Sequence, residues 1–222
     1  MRVLLTAGGT EEPIDSVRRI TNTSSGATGA ALAAHFAERG AEVVLLHAER
    51  AAAGMPDVER VGFVSFAELE AALRRLLGER RFDAVVHLAA VSDYAVGSVE
   101  VDGRPWGGGS RAKIPSGREV VVRLRPNPKL IDSLRAWSCN PEVVIVGFKL
   151  TDDPDPAARD AAARALLDRG AADLVVHNDV REIDGARHAA TISGRRGALA
   201  RTETKRQLAE ELYLLLADGG PR

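Results

Sequence analysis

Val3-Leu4-Leu5-Thr6-Ala7-Gly8-Gly9-Thr10 places a short apolar run directly before a glycine pair, and the same pattern returns along the chain. Val43-Val44-Leu45-Leu46, Ala84-Val85-Val86-His87-Leu88, Val143 to Phe148 and Leu174-Val175-Val176 are further apolar runs of strand length. Helical patterns separate them. Ala30-Ala31-Leu32-Ala33-Ala34-His35-Phe36 is a small-residue stripe suited to close packing, and Arg39-Gly40 ends it. Ser65 followed by Glu68 is a capping pattern ahead of Leu69, Ala72, Leu73, Leu76 and Leu77, which share one helical face. Asn127-Pro128 predicts a helix start, with Asn at the cap and Pro in the first turn. Ala157 to Leu167 and Glu203 to Ala217 complete the series, the last with Leu208, Leu212, Leu215 and Leu216 at helical spacing.

Strands that are apolar along their whole length are buried on both faces. When each is followed by a helix, they build parallel β-α-β units. The expected architecture is therefore a three-layer, doubly wound α/β fold with a mostly parallel, Rossmann-like sheet, in a single domain over residues 1–222. The segment 94–125 departs from this pattern. Gly103, Gly107, Gly108 and Gly109 crowd a loop, and Glu119-Val120-Val121-Val122-Arg123-Leu124 reads as an extra ribbon strand. That excursion is expected to be a mobile flap, a dimerisation arm, or both.

Composition narrows the function. Hydrophobic residues at 45% and charged residues at 27% in 222 residues exclude a disordered or collagen-like chain. A formal net charge of −1 argues against a nucleic-acid binder that works through a general positive field. Aromatics at 4% argue against base stacking along a strand. The lone Cys139 forms no intrachain disulfide. No basic-apolar leader opens the chain, and no apolar run approaches the roughly 20 residues of a membrane helix. His35, His47, His87, His177 and His188 show no metal-ligand spacing. A cytoplasmic small-molecule enzyme is the expectation.

Ligands of a parallel α/β sheet bind beyond the carboxyl ends of its strands, and four features map there. Thr6-Ala7-Gly8-Gly9-Thr10 brings backbone and a hydroxyl close to a phosphate, or else is simply a tight turn. Asn22-Thr23-Ser24-Ser25-Gly26-Ala27-Thr28-Gly29 gathers hydroxyls, glycines and free N–H groups at a helix start, more than a plain cap requires. Ala89-Ala90-Val91-Ser92-Asp93-Tyr94 leaves room for a flat group, with Asp93 as acceptor, although Ser-Asp is also a common turn cap. Lys113, just past the glycine-rich loop, is either a mobile cation for phosphates or a solvated surface lysine. An NAD(P)-dependent reductase is the obvious rival. Gly8-Gly9-Thr10-Glu11-Glu12-Pro13 lacks its G-x-G-x-x-G fingerprint, and neither Tyr94 nor Tyr213 is followed by Lys four residues on. No Walker A sequence is present either.

Several of these stretches together resemble the phosphopantothenoylcysteine synthetase (phosphopantothenate–cysteine ligase) family. They are Leu5 to Thr10, Pro13-Ile14-Asp15-Ser16-Val17-Arg18, Ile20 to Gly26, Ala89 to Tyr94, Lys113-Ile114, Asn127-Pro128, Gly147-Phe148 and Ala172 to Asp179. The start at the first strand, Phe148-Lys149-Leu150 and the segment containing His188 are similar to the stand-alone bacterial form. What the resemblance implies is a ligase of coenzyme A biosynthesis. The carboxylate of 4′-phosphopantothenate attacks the α-phosphate of CTP, with ATP as the alternative, and L-cysteine then displaces CMP from the acyl-nucleotidylate. Mg²⁺ would accompany the nucleotide.

By matching motif, Lys113 and Asn22 are the implied catalytic residues. Lys113 neutralises phosphate charge, and Asn22 holds the acyl intermediate. Leu88, Ala89, Asp93, Phe148 and the Pro128-Lys129-Leu130-Ile131 helix start are the implied nucleotide contacts, with Gly9, Thr10, Ser24, Ser25 and Gly26 as phosphate contacts. Arg164 and Arg169 stand where the family usually has lysines, and Arg18 or Arg19 would meet the anionic acyl substrate. The resemblance also implies a homodimer whose flap acts across the interface, and a separate decarboxylase as partner. A degenerate paralogue that binds a nucleotide without catalysis is the alternative from another class.

Overall fold

The computed structural model describes residues 1–51, 54, 56–107, 111–184 and 187–219. In chain order its elements begin with β1 (Arg2–Ala7), β2 (Glu11–Pro13), β3 (Arg19–Thr21), α1 (Ala27–Glu38), β4 (Glu42–Ala48), β5 (Glu59–Phe63) and α2 (Phe66–Glu79). There follow β6 (Ala84–His87), β7 (Tyr94–Val101), β8 (Arg104–Pro105), β9 (Val120–Pro126), α3 (Leu134–Trp137), β10 (Val144–Thr151) and α4 (Pro156–Asp168). The chain ends with β11 (Leu174–Asp179), β12 (Ile183–Asp184), β13 (Arg187–His188), β14 (Ala190–Gly194), β15 (Gly197–Thr202) and α5 (Lys205–Ala217).

Eight strands form the central sheet in the order β15-β14-β11-β10-β6-β1-β4-β5. From β11 to β5 every pairing is parallel, while β14 and β15 close one edge as an antiparallel hairpin. Reading β5-β4-β1-β6-β10-β11 by chain order gives the doubly wound order of a dinucleotide-type fold, with its reversal between β1 and β6. The five apolar runs of the sequence all lie in this sheet. Val3, Leu4, Leu5, Leu45, Leu46, Val85, Val86, Ile145, Val146, Leu174, Val175 and Val176 are fully buried.

Two core clusters lie on the two faces of the sheet. One joins it to α2, α3 and α4 through Leu69, Leu73, Leu134 and Leu166. The other joins it to α1 and α5 through Leu32, Phe36, Leu208 and Leu212. Close packing of α1 demands small residues: a Cβ on Gly29 would stand 2.4 Å from the Cβ of Ala7. The Ser65 cap is present, its Oγ accepting from the Glu68 N–H at 3.3 Å, while Glu68 Oε2 accepts from Val64 N–H at 2.8 Å.

Three elements differ from expectation. β5 and the β14–β15 hairpin are strands the sequence pattern does not announce: β5 and β15 are edge strands, which need only one apolar face, and β14 alternates buried with half-buried residues. In β5 Glu59, Arg60 and Gly62 are exposed and Phe63 alone is buried. Asn127 does not cap a helix. Its amide donates to Ser92 O at 3.1 Å and its N–H to Asp93 O at 2.8 Å, so the first turn is a 3₁₀ turn at Leu130–Ser133 that leads into the single turn of α3.

The excursion at 94–125 is an antiparallel ribbon, β7 paired with β8 and β9. Val120, Val121 and Leu124 are 40–45% exposed on it. Gly108 and Gly109 of the expected glycine-rich loop, and Gly220, Pro221 and Arg222 of the chain end, lie outside the described residues.

Candidate active site

A crevice of about 1190 Å³ runs along the carboxyl ends of β6, β10 and β11, at the reversal of strand order. Its floor is His87 to Ser92 after β6. One wall is the chain from Thr21 to Gly29 entering α1, and another is the Pro128 to Ile131 turn with α4. Phe148-Lys149-Leu150 at the end of β10, then Asn178, His188 and Lys205, complete it.

The floor is held rigidly. Beyond their strand ends, the Gly8–Thr10 turn and Ala90 are zipped together, Ala90 N–H donating to Gly8 O at 2.8 Å and Thr10 N–H to Ala90 O at 3.2 Å. Ala89 N–H donates to Thr6 Oγ1 at 3.0 Å, and the Thr6 hydroxyl shares a further hydrogen bond of 3.0 Å with His87 Nδ1. Burial pushes the His87 pKa down to about 4, so the ring stays neutral under ordinary conditions.

Asn22, Ser24, Ser25 and Gly26 all line the crevice. Asn22 Nδ2 donates to Val91 O at 3.1 Å, a bond across the floor that leaves Oδ1 as the remaining acceptor. Gly26 is the N-cap of α1 with φ 72°, a conformation suited to glycine, and it has no side chain to cap the helix. Ala27 N–H donates to Ser25 Oγ at 3.3 Å, and the open N–H groups of Thr28 and Gly29, with the helix dipole, remain at the crevice end.

Leu88, Ala89, Asp93, Pro128, Lys129, Leu130, Ile131, Phe148 and Arg169 also line it. Asp93 and Lys129 form an ion pair, and Arg169 donates to Asp132 Oδ1 at 2.9 Å. Lys129 and Arg169 are thus already matched by carboxylates, whereas Lys149, which also lines the crevice, has no carboxylate partner among the described residues.

Six expected residues lie outside the crevice. Thr10 is fully buried: its Oγ1 accepts from Ser92 N–H at 2.9 Å and its carbonyl accepts from Thr21 Oγ1 at 3.0 Å, so it fastens the floor rather than a phosphate. Gly9 is closed off by the Asn22 carbonyl, 2.4 Å from where a Cβ would stand. With Glu11, Arg19 and Arg50 it lines a cavity of only about 130 Å³, too small for a nucleotide. Arg19 pairs with Glu11 at 3.2 Å, and Arg18 pairs with Asp15. Arg164 is exposed on α4 away from the crevice lining. Lys113 is exposed and is not brought to the crevice of its own chain.

Asp15 explains how the flap root is held, a role the sequence reading did not assign it. Its carboxylate is buried and accepts from the N–H groups of Val17 at 2.8 Å, Arg18 at 2.7 Å and Ile114 at 3.0 Å, and from the Arg18 guanidinium. Burial alone would raise its pKa. The N–H donors of Val17, Ile114 and Arg18, with the guanidinium, outweigh that and hold it well below the usual carboxylate range. The residue next to Lys113 is therefore pinned to the β2–β3 hairpin. Two acidic positions are simple caps: Asp155 accepts from Ala157 N–H and Asp153 from Asp155 N–H, both at 2.9 Å.

Among the described residues no three His, Cys, Asp or Glu side chains gather to hold a metal. Asp93 is the one carboxylate among the described residues lining the crevice. A divalent ion here would be carried mainly by a ligand's own phosphates. No helix among the described residues is long and apolar enough to cross a membrane.

Residues 1–218 match the family model of the DNA/pantothenate metabolism flavoprotein C-terminal domain. The chain belongs to this family. A coenzyme A biosynthesis bifunctional protein CoaBC from Thermococcus kodakarensis is 36% identical over 214 residues, covering 96% of this chain and 50% of that protein. CoaBC from Escherichia coli K12 is 31% identical over 181 residues, covering 81% of this chain and 41% of that protein. The chain thus spans about half the length of these curated relatives or less. The crystal structure of a DNA/pantothenate metabolism flavoprotein from Streptococcus pneumoniae superposes with a TM-score of 0.84 at 28% identity, covering 98% of this chain and 99% of that one. The mostly parallel sheet and the helices on both its faces are accordingly those of this family.

Proposed function

We propose that this chain is a phosphopantothenate–cysteine ligase of coenzyme A biosynthesis, driven by CTP. One observation carries the reading: a crevice large enough for a nucleotide and an acyl substrate lies where the strand order reverses, floored by Leu88-Ala89-Ala90 and walled by the Asn22 to Gly29 helix entry. Membership of the family, with relatives named as coenzyme A biosynthesis proteins, supports it.

In this reading a carboxylate oxygen of 4′-phosphopantothenate attacks the α-phosphorus of CTP and pyrophosphate leaves. The amine of L-cysteine, having lost a proton, then attacks the acyl carbon and CMP leaves, forming the amide. The nucleotide lies on the α3/α4 side, with Lys129 and Arg169 exchanging carboxylate partners for phosphates. Mg²⁺ bound with the nucleotide would supply charge neutralisation, and Asp93 is the crevice carboxylate that would help hold it. Asn22, its Nδ2 committed to Val91 O, offers Oδ1 to the incoming cysteine nitrogen.

Lys113 reaches the phosphates of a second copy of the chain. Its exposure outside its own crevice and the exposed Val120, Val121 and Leu124 of the neighbouring ribbon support a homodimer in which the flap acts across the interface. A cytoplasmic enzyme is the setting consistent with this chemistry.

Incubation with 4′-phosphopantothenate, CTP and Mg²⁺ should release pyrophosphate, and addition of L-cysteine should release CMP. Parallel turnover with ATP ranks the two nucleotides. Nucleotide binding without pyrophosphate release would replace the ligase by a non-catalytic binding protein.

A further inference from the structure

The wall built by α1 and α5 contains two groups that the reaction above leaves unused. His188 ends β13, and its backbone N–H donates to Glu203 O at 2.8 Å, one residue before Thr204, the N-cap of α5. The residue lines the crevice yet is only 8% exposed, and its Nδ1 is buried with no hydrogen-bond partner among the described residues. A hydrogen on Nδ1 would be a buried donor lacking an acceptor, so the neutral ring places it on Nε2. Burial, and then the nearby Lys205 ammonium, lower the His188 pKa and keep the ring neutral.

Lys205 is the first residue of α5 and lines the same crevice. Among the described residues no carboxylate lies within ion-pair distance of it. The third element of this wall is the start of α1, where the uncapped first turn, including Thr28 and Gly29, also lines the crevice. An ammonium without a carboxylate partner, a neutral N–H donor and the open start of α1 together suit a compact dianion rather than a carboxylate, which offers fewer acceptor oxygens.

We propose that His188 and Lys205 form a phosphate-monoester site that holds the phosphate end of the acyl substrate and lets the protein discriminate against the unphosphorylated acid. This deepens the ligase reading and rests on it. The donor hydrogen on His188 Nε2 and the Lys205 ammonium bind the phosphate oxygens, fixing the far end of the substrate so that its carboxylate is presented toward the floor at Ala89.

The test is calorimetric titration of wild type, Lys205→Gln and His188→Gln with 4′-phosphopantothenate, with pantothenate and with Mg²⁺–CTP. Wild type should prefer the phosphorylated acid, and each variant should lose about tenfold in affinity for it, the scale of one hydrogen bond to a charged group, while binding pantothenate and CTP as before. Lys205→Gln keeps the fold because the side chain stands at a helix start, so a misfolded His188→Gln would not decide the matter. Loss of CTP affinity instead would assign the site to the nucleotide and overturn the proposal. Undiminished binding of 4′-phosphopantothenate by both variants would overturn it while leaving the ligase intact. Wild type that binds CTP but neither acid would overturn the ligase reading as well.

Discussion

The two sides of the crevice differ in how their charge is held. On the α3/α4 side Lys129 and Arg169 are each matched to a carboxylate, Asp93 and Asp132. On the α1/α5 side Lys205 has no such partner among the described residues, and the neighbouring histidine is neutral. A matched cation is kept in place and yields its partner only to a stronger anion, which suits a triphosphate that must arrive, react and leave as pyrophosphate. An unmatched cation beside the open start of α1 is a standing site for an anion that stays bound through both half-reactions. The difference teaches that one crevice offers separate electrostatic environments for a ligand that is cleaved and a ligand that is extended.

The largest effect is expected where the two sides meet. Asn22→Asp replaces the amide that donates to Val91 O by a carboxylate facing a carbonyl. The side chain should swing away, and amide formation should fall by at least about a hundredfold, the scale of losing one positioned polar group. Acyl-nucleotidylate should still form and accumulate, as read by pyrophosphate release without CMP. Equal loss of both half-reactions would erase the distinction between the two sides at this residue.

Next comes the shared floor. His87 titrates at about 4 when folded, against 6.5 for an ordinary histidine. Between these values the unfolded chain binds the extra proton, so the contribution is complete above pH 6.5 and is lost as pH falls towards 4. About 3 kcal/mol of stability should disappear over that window. His87→Asn should flatten this part of the pH profile in urea unfolding, and an unchanged slope would mean that the ring is more solvated than its burial indicates.

The smallest effect belongs to the matched pairs. Asp93→Asn should change the nucleotide KM by up to about tenfold, with little change in the KM for 4′-phosphopantothenate. A shift in the acyl KM alone would reverse the assignment of sides.

Much of this was legible in the residue order. Strands buried on both faces must be apolar throughout, so β1, β4, β6, β10 and β11 stand out, and their turns mark the carboxyl edge where Asn22, Ala89, Asp93 and Phe148 indeed meet. Residue type did not show which polar groups find a partner inside the chain: Thr10 fastens Ser92, Arg18 pairs with Asp15, and Arg19 pairs with Glu11. Asn178 and His188 belonged to stretches that carried the family resemblance, but nothing in linear order marked them or Lys205 as crevice residues. β11, β13 and α5 bring them together from positions dozens of residues away from Gly26.

The order of residues determined the alternation of strands and helices and the presence of a ligand edge, because burial on both faces, helix periodicity and turn chemistry are local properties. Only the tertiary structure decided which hydroxyls and cations remain available to a ligand. Availability depends on whether a partner lies within about 3 Å across the fold, and that distance is set by packing rather than by spacing along the chain.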